Sequence, residues 1–306
     1  MRVFITGGTG LVGSRLVPHL RQRGDSVLVL SRRANAVSGM DCEMLQGDPT
    51  QPGDWQNRAA ECDAIVNLAG ENIVGKRWND NVRRTLRESR VKATENCAQA
   101  ISRQPRGADG SPKVLVNASA IGYYGPYGDE ELDENSPPGN DFLAGLCVDW
   151  EKAATPAKES GARVVLTRIG VVLANDGGPL AKMLLPFKLG LGGPMGSGRQ
   201  WLSWVHRDDV IGLIAFALDN PKANGPMNGT APNPVTNRDF GKALGRGLHR
   251  PAFMPTPGFM LKLVMGDGAE IVLTGQRVLP KRAQEWGYTF RFPKLDAALA
   301  EILRRK

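Results

Sequence analysis

Thr6-Gly7-Gly8-Thr9-Gly10-Leu11-Val12-Gly13 decides the fold. Before it stands Met1-Arg2-Val3-Phe4-Ile5, a short apolar run of β-formers that reads as a buried strand. After it, Leu11 to Leu20 carries apolar residues at helical spacing, ending near Arg23-Gly24. A strand therefore enters a glycine-rich turn and a helix leaves it. Gly7 permits the tight turn, Gly10 lets backbone approach a pyrophosphate, and Gly13 lets the helix sit close to the strand. The helix start adds free N–H groups and a partial positive charge. In this strand–turn–helix setting the stretch reads as a dinucleotide site, against the plainer alternative of a tight turn in some other α/β domain.

The bulk properties agree with a large soluble-type α/β chain. Its 306 residues suffice for one α/β domain or for a domain with a smaller lobe. The net charge of +8, from 39 basic and 31 acidic residues, suits an anionic ligand or a solvated surface. There is no cationic tail or Lys/Arg block, so nucleic acid is not an expected partner. Cys42, Cys62, Cys97 and Cys147 are far apart, as are His19, His206 and His249, so neither a disulfide framework nor a metal site is expected. No signal peptide precedes the first strand and no run of about 18 apolar residues could span a bilayer, so the expected setting is cytoplasmic, with no membrane partner.

The second strand, Ser26 to Leu30, runs into Ser31-Arg32-Arg33, where a dinucleotide fold reads the adenosine ribose. An acidic residue there would select NAD. Ser31 and Arg32 stand in its place, and a guanidinium matches a 2′-phosphate, so NADP is the expected cofactor. Surface arginines after a strand are the alternative. A third strand covers Glu43–Gln46. The fourth, Asp63 to Gly70, ends in small residues that let a cofactor lie close to backbone. Asn79 to Ser102 is a long helix whose Arg83, Arg87 and Arg90 share one face, with Arg84–Glu88 spaced as an i,i+4 pair.

The fifth strand, Val114 to Ser119, runs into a loop holding Tyr123, Tyr124 and Tyr127, three of the four tyrosines. At the carboxyl end of a parallel strand this loop faces the cofactor site. A helix follows over 142–159, then a strand run over 163–173 broken by Gly170. The alternation predicts a Rossmann-type, doubly wound parallel sheet over 1–173, to which 205–235 returns. Residues 174–204 and 236–306 read as a smaller, mainly helical C-terminal cap. In the returning 205–235 segment, Asp208 or Asp209 is placed to cap a helix running to Leu218, and in the cap Thr236-Asn237-Arg238-Asp239 starts another.

At these residues the chain resembles the short-chain dehydrogenase/reductase superfamily in its extended, epimerase-like branch. The likeness is carried by TGGTGLVG at 6–13, NLAGE at 67–71, the strand to Ser119, and GSGRQWLSWVHRDDV at 196–210. More closely, the full length is similar to atypical epimerase-family proteins of unassigned substrate, some bearing an old cell-division-inhibitor label. AGENI, GYYG, LLPFKLGLGGPMGSGRQ and the GQRVLP segment carry that closer likeness. The resemblance implies cofactor contacts from Gly7, Thr9, Gly10, Leu11, Val12 and Gly13, and from Ser31 and Arg32. It also implies contacts from Leu68, Ala69, Gly70, Arg90 and Val172.

Two departures bear on chemistry. The superfamily's Tyr, followed four residues later by Lys, falls on Leu143 and Cys147, or one residue earlier on Phe142 and Leu146. Neither register supplies the proton relay. The Arg that clamps a nucleotide-sugar diphosphate falls on Leu202, which cannot bind phosphate. What remains is Ser119 to orient a substrate carbonyl, with Tyr124 first and Tyr123 second as proton donor. His206 reads as structural and Trp201 and Trp204 as cap packing. The expected function is an NADP(H)-binding oxidoreductase or epimerase-like enzyme on an unidentified small molecule. The alternative is a non-catalytic NADP(H)-binding protein that signals through a partner.

Overall fold

The structure is a computed structural model that describes residues 1–34, 39–74 and 77–304. At its centre lies a seven-stranded parallel sheet of β1 (Arg2–Thr6), β2 (Ser26–Ser31), β3 (Glu43–Gln46), β4 (Ala64–Asn67), β5 (Val114–Ala120), β7 (Arg163–Ile169) and β11 (Gly225–Gly229). Three short pairs lie outside it: β6 (Glu131–Leu132) with β13 (Arg277–Val278), β8 (Val171–Leu173) with β10 (Trp204–His206), and β9 (Trp201–Leu202) with β12 (Val235–Thr236). The main sheet runs β11-β7-β5-β4-β1-β2-β3. The winding reverses between β1 and β4, which puts the switch point at the end of β1, where the glycine turn begins.

Successive strand residues point to opposite faces, and both faces are apolar because both are covered. Val3, Ile5, Val66, Val116 and Val165 pack under α1 (Gly13–Gln22) and α7 (Arg207–Asp219). Phe4, Leu28, Ile65 and Leu115 pack under α3 (Asp80–Arg103) and α5 (Thr155–Glu159), with Phe4 stacked on Trp55 of α2 (Trp55–Ala60) at 5.5 Å. Burying a side chain such as Phe4 contributes about 1.5–3 kcal/mol. A separate apolar core joins α6 (Gly178–Lys188), α8 (Asn237–Leu248) and α12 (Leu295–Arg304) through Leu180, Phe187, Phe240, Leu244 and Leu299. Between α8 and α12 come α9 (Gly258–Met265), α10 (Glu270–Leu273) and α11 (Lys281–Glu285). No helix among the described residues is long and apolar enough to cross a membrane.

Several local expectations change. The helix expected over 142–159 is two: α4 (Phe142–Lys152) ends before Pro156, which sits in the first turn of α5 and has no N–H for a continuing helix. Gly170 does break the strand run. A Cβ there would meet Ser203 O at 2.4 Å, and the chain leaves the main sheet to pair β8 with β10. Neither Asp208 nor Asp209 caps α7. His206 is the N-cap, its Nδ1 accepting from the Asp208 N–H at 3.0 Å. Asp209 is fully buried and accepts from the N–H groups of Arg291 and Phe292. The Arg84–Glu88 pair is also absent: Glu88 binds Lys92, while Arg84 donates to Asn81.

Candidate functional site

The glycine turn shows why each glycine stands where it does. Gly7 takes φ +70°, and a Cβ on it would lie 2.6 Å from Leu68 O at the end of β4. A Cβ on Gly13 would sit 2.3 Å from Gly7 O, so the start of α1 is pressed against the turn. Gly10 differs. Its Cβ would meet only Gly7 O, at 3.2 Å, and the residue is exposed. Helix α1 has no side-chain cap and no acidic residue in its first turn. An exposed glycine beside an uncapped helix start is a cradle that fits a pyrophosphate. Thr9, Leu11 and Val12 are half-buried around it. Leu11 packs on the turn that opens α6, where a Cβ on Gly177 would meet Leu11 Cδ1 at 2.8 Å.

Along the same edge, Ser31 ends β2 and its Oγ accepts from the Arg33 N–H at 3.2 Å, while the Arg32 side chain is exposed. The end of β4 is fixed by a buried polar cluster. Thr6, Asn67 and Asn117 stand in one register row across β1, β4 and β5. Asn67 Nδ2 donates to Asn117 Oδ1 and Thr94 Oγ1, and its Oδ1 accepts from Thr6 Oγ1 and the Ala69 N–H. Arg90 then clamps the following loop. It donates to Glu71 O and Leu86 O, its guanidinium lies over the Trp150 ring at 5.2 Å, and a Cβ on Gly70 would touch it at 3.2 Å. Burial lowers its pKa. Arg90 thereby shapes the Leu68–Gly70 surface. Val172 is half-buried in β8, paired in register with Val205 of β10.

Two residues further along β5, a second row holds the polar groups. Ser119, Arg168 and Asn228 stand in register on β5, β7 and β11. Ser119 Oγ donates to Glu151 Oε1 at 2.7 Å, and Arg168 binds the same carboxylate through Nε and Nη2 at 2.8 and 2.9 Å. Arg168 Nη1 also donates to the Tyr124 hydroxyl at 3.0 Å, which donates to Asn228 Oδ1 at 2.8 Å. Tyr124 is fully buried, and burial pushes its pKa up to about 12 against the pull of Arg168. Tyr123 is half-buried with its ring on the Arg168 guanidinium, 3.4 Å from the centroid. Burial pulls the Arg168 pKa down, but the bonds and charge of Glu151 outweigh it and the net shift is upward.

Glu151, Arg168 and Asn228 were missed as site residues. Arg168 has a sequence signal all the same: a cation inside the apolar run of β7 (Arg163–Ile169) needs a buried partner. Leu143 and Cys147, aligned with the usual Tyr and Lys, face the tyrosine loop, where a Cβ on Gly122 would meet their side chains at 3.4 and 3.7 Å. Burial, reinforced by Glu151, pushes the Cys147 thiol up to about 12, so it stays protonated. Leu68, Tyr123, Leu143, Ile169 and, from α10, Ile271 all pack against one buried cluster that includes Trp78, Leu86, Cys147 and Trp150. Leu202 pairs with Val235 in β9–β12, and Arg199 is exposed nearby. His206, Asp208 and Glu301 lie close enough for a chelate, but His206 Nδ1 is taken by the α7 N-terminus and Nε2 by Glu301 at 3.0 Å. Trp204 is buried and donates to Asn233 O, while Trp201 donates to Asp129.

Residues 3–229 match the NAD dependent epimerase/dehydratase family, and residues 256–302 match a domain of unknown function. An Arabidopsis thaliana protein described as "Epimerase family protein SDR39U1 homolog, chloroplastic" is 42% identical over 306 residues, covering 99% of this chain and 87% of that one. The Mycobacterium tuberculosis epimerase family protein MT2273 is 42% identical over 305 residues, covering 99% and 98%. The crystal structure of human epimerase family protein SDR39U1 (isoform 2) with NADPH matches with a TM-score of 0.89 and 39% identity, covering 100% of both chains. The chain belongs to the NAD dependent epimerase/dehydratase family.

Proposed function

We propose that this protein binds NADP(H) along the carboxyl edge of its sheet and acts as an oxidoreductase or epimerase-like enzyme on a small molecule lacking a diphosphate. The observation that carries the reading is the open cradle at Gly10, with exposed Arg32 one strand away and no carboxylate at the ribose-reading position. The human relative crystallised with NADPH supports it. When bound, the reduced cofactor supplies a hydride. The chain's own residues do the rest. The Gly7–Gly13 turn receives the pyrophosphate and Arg32 the 2′-phosphate. Leu68, Ala69, Gly70 and Val172 give the ring a close, water-poor surface, held in shape by Arg90.

Ser119, 2% exposed and with its O–H given to Glu151, keeps acceptor capacity only and orients a substrate hydroxyl. Tyr123 stands ahead of Tyr124 as proton donor, because the Tyr124 hydroxyl is sealed between Arg168 and Asn228. Isothermal titration with NADPH and NADH, followed by a carbonyl screen read as NADPH consumption, tests the proposal; preference for NADH would overturn the cofactor reading. A second reading is a non-catalytic NADP(H)-binding protein, favoured by Leu143 and Cys147 in the proton-relay positions. It gains if a broad screen finds no turnover in a protein that binds NADPH tightly. Four free cysteines, three of them buried, support a reducing compartment, which we propose is the cytosol.

A further inference from the structure

The exposed large apolar side chains are not scattered. Among the described residues, all but Met1 and Val148 fall in two stretches, 177–207 and 240–266. Neither stretch contains an Asp or a Glu, while together they carry Lys182, Lys188, Arg199, Arg250 and Lys262, all exposed. The two stretches run side by side. Arg250 Nε donates to Lys188 O at 3.0 Å, the Met254 N–H to Gly192 O at 3.1 Å, and the Thr256 N–H to Pro194 O at 2.9 Å. Leu189, Leu191, Phe253 and Met254 are exposed along this seam. From it the chain passes through Pro257 into α9.

Helix α9 has no buried residue at all. Phe259 and Val264 are 73% exposed and Leu263 is 72% exposed, and Lys262 is the helix's one charge. An ordinary surface helix hides its apolar stripe against the core. This one turns it to solvent, beside an apolar seam whose own charged groups are cations; the exposed Asp267 that follows the helix is bridged to Arg83. Exposed apolar side chains gathered on neighbouring segments mark an interaction surface. Its chemistry, aromatic and aliphatic groups with Lys and Arg at the margin, matches the headgroup–acyl boundary of an anionic bilayer. A protein partner would have to bring both an apolar face and a surplus of acid. A second copy of this chain would set cation against cation.

We propose that α9 and the adjoining 188–192 and 250–254 seam form a peripheral docking surface for anionic membranes. The helix lies on the bilayer and does not span it, a mode of contact that departs from the expectation of no membrane partner. The docked face adjoins the candidate site. Residues 266–269 and α10 follow α9 directly, and Ile271 of α10 packs on the buried Trp78–Leu86–Cys147 cluster, against which Leu68, Tyr123 and Leu143 also pack. Docking does not depend on the proposed chemistry, since it needs neither turnover nor cofactor.

The test is co-sedimentation of the full-length protein with vesicles of phosphatidylcholine containing phosphatidylglycerol, and with vesicles of phosphatidylcholine alone. The bound fraction is expected to rise with phosphatidylglycerol and to fall as salt is raised. Phe259→Glu/Leu263→Glu changes two exposed side chains and should lower partitioning at least tenfold, with thermal stability and NADPH affinity unchanged. Lys188→Glu/Lys262→Glu should remove the dependence on anionic lipid. Absence of binding to anionic vesicles at low salt overturns the proposal. So does equal binding by Phe259→Glu/Leu263→Glu. So does a wild-type dimer in sedimentation velocity that this variant dissociates, since the face would then belong to a second copy.

Discussion

Ser119 and Arg168 stand opposite each other on neighbouring parallel strands and donate to one atom, Glu151 Oε1, at 2.7 and 2.8 Å. The carboxylate belongs to α4, so a helix, two strands and, through Tyr124, the tyrosine loop are fixed by one ion pair. The Arg168 and Glu151 side chains are only 3% and 10% exposed. Removing one member leaves the other charged and buried. Glu151→Gln or Arg168→Met is therefore expected to cost about 3–5 kcal/mol. The double change should cost less than the sum, which a denaturant double-mutant cycle would read. Single losses below about 1 kcal/mol would mean that the pair is screened as surface pairs are.

The cofactor preference should trace to one side chain. Arg32 is exposed at the end of β2, free to reach a phosphate without repacking. Arg32→Ala should weaken NADPH by roughly 1.5–3 kcal/mol, the range for a charged hydrogen bond, and leave NADH nearly unchanged. Calorimetric titration of both cofactors checks the difference.

Gly10 and Gly13 should part company when given the same methyl group. At Gly10 the added carbon meets one oxygen at 3.2 Å, so Gly10→Ala should keep most of the apo protein's thermal stability and lose NADPH affinity. At Gly13 it meets Gly7 O at 2.3 Å and Gly8 Cα at 2.6 Å, which is backbone with nowhere to move. Gly13→Ala should lower the melting temperature before affinity can be asked about. Equal loss of apo stability in both variants would make Gly10 a structural turn residue and nothing more.

The two adjacent tyrosines should give opposite signatures. Tyr123→Phe is expected to lower turnover about 10²–10⁴-fold, the usual share of a general acid, with NADPH affinity kept. Tyr124→Phe strips an acceptor from Arg168 and a donor from Asn228, and should cost about 1–3 kcal/mol of stability. Steady-state kinetics and melting curves on both variants separate the roles. Unchanged turnover in Tyr123→Phe would move the search to Ser119.

His206 should make stability fall in mild acid. Its Nδ1 holds the start of α7 only while unprotonated, and burial lowers its pKa although Asp208, Glu301 and Asp209 all pull the other way. The folded form thus binds the proton less readily than the unfolded chain. Its contribution is present above the ordinary histidine range near pH 6.5 and is lost as pH falls through the lowered folded value. Melting temperature between about pH 7.5 and 5 should drop more for wild type than for His206→Asn, in which an amide can cap without titrating.

The main strands were legible because parallel strands buried on both faces are written as continuous apolar runs, and the glycine turn because its spacing is a backbone requirement. The Ser119–Arg168–Asn228 row was not. Its members lie 49 and 60 residues apart, and only strand register, set by the whole sheet, brings them level. The capping of α7 failed for a related reason. Asp208 and Asp209 have the right chemistry for the helix start, but Asp209 is drawn away by the backbone of Arg291 and Phe292, and a histidine one residue outside takes the place.

The match to the epimerase family stops at residue 229, yet the chain is stitched across that line. Ser203 Oγ donates to Gln276 O and accepts from the Val278 N–H, Asn228 Nδ2 donates to Leu279 O, and Arg282 Nη1 donates to Pro226 O. These are buried or part-buried bonds, so the last third cannot be treated as a detachable module. A gene fragment cut where the similarity ends would not release a free-standing cofactor domain. It would expose the edge of the sheet and strand the Ser203 hydroxyl, the Asn228 amide and the Pro226 carbonyl, whose partners lie in the later residues.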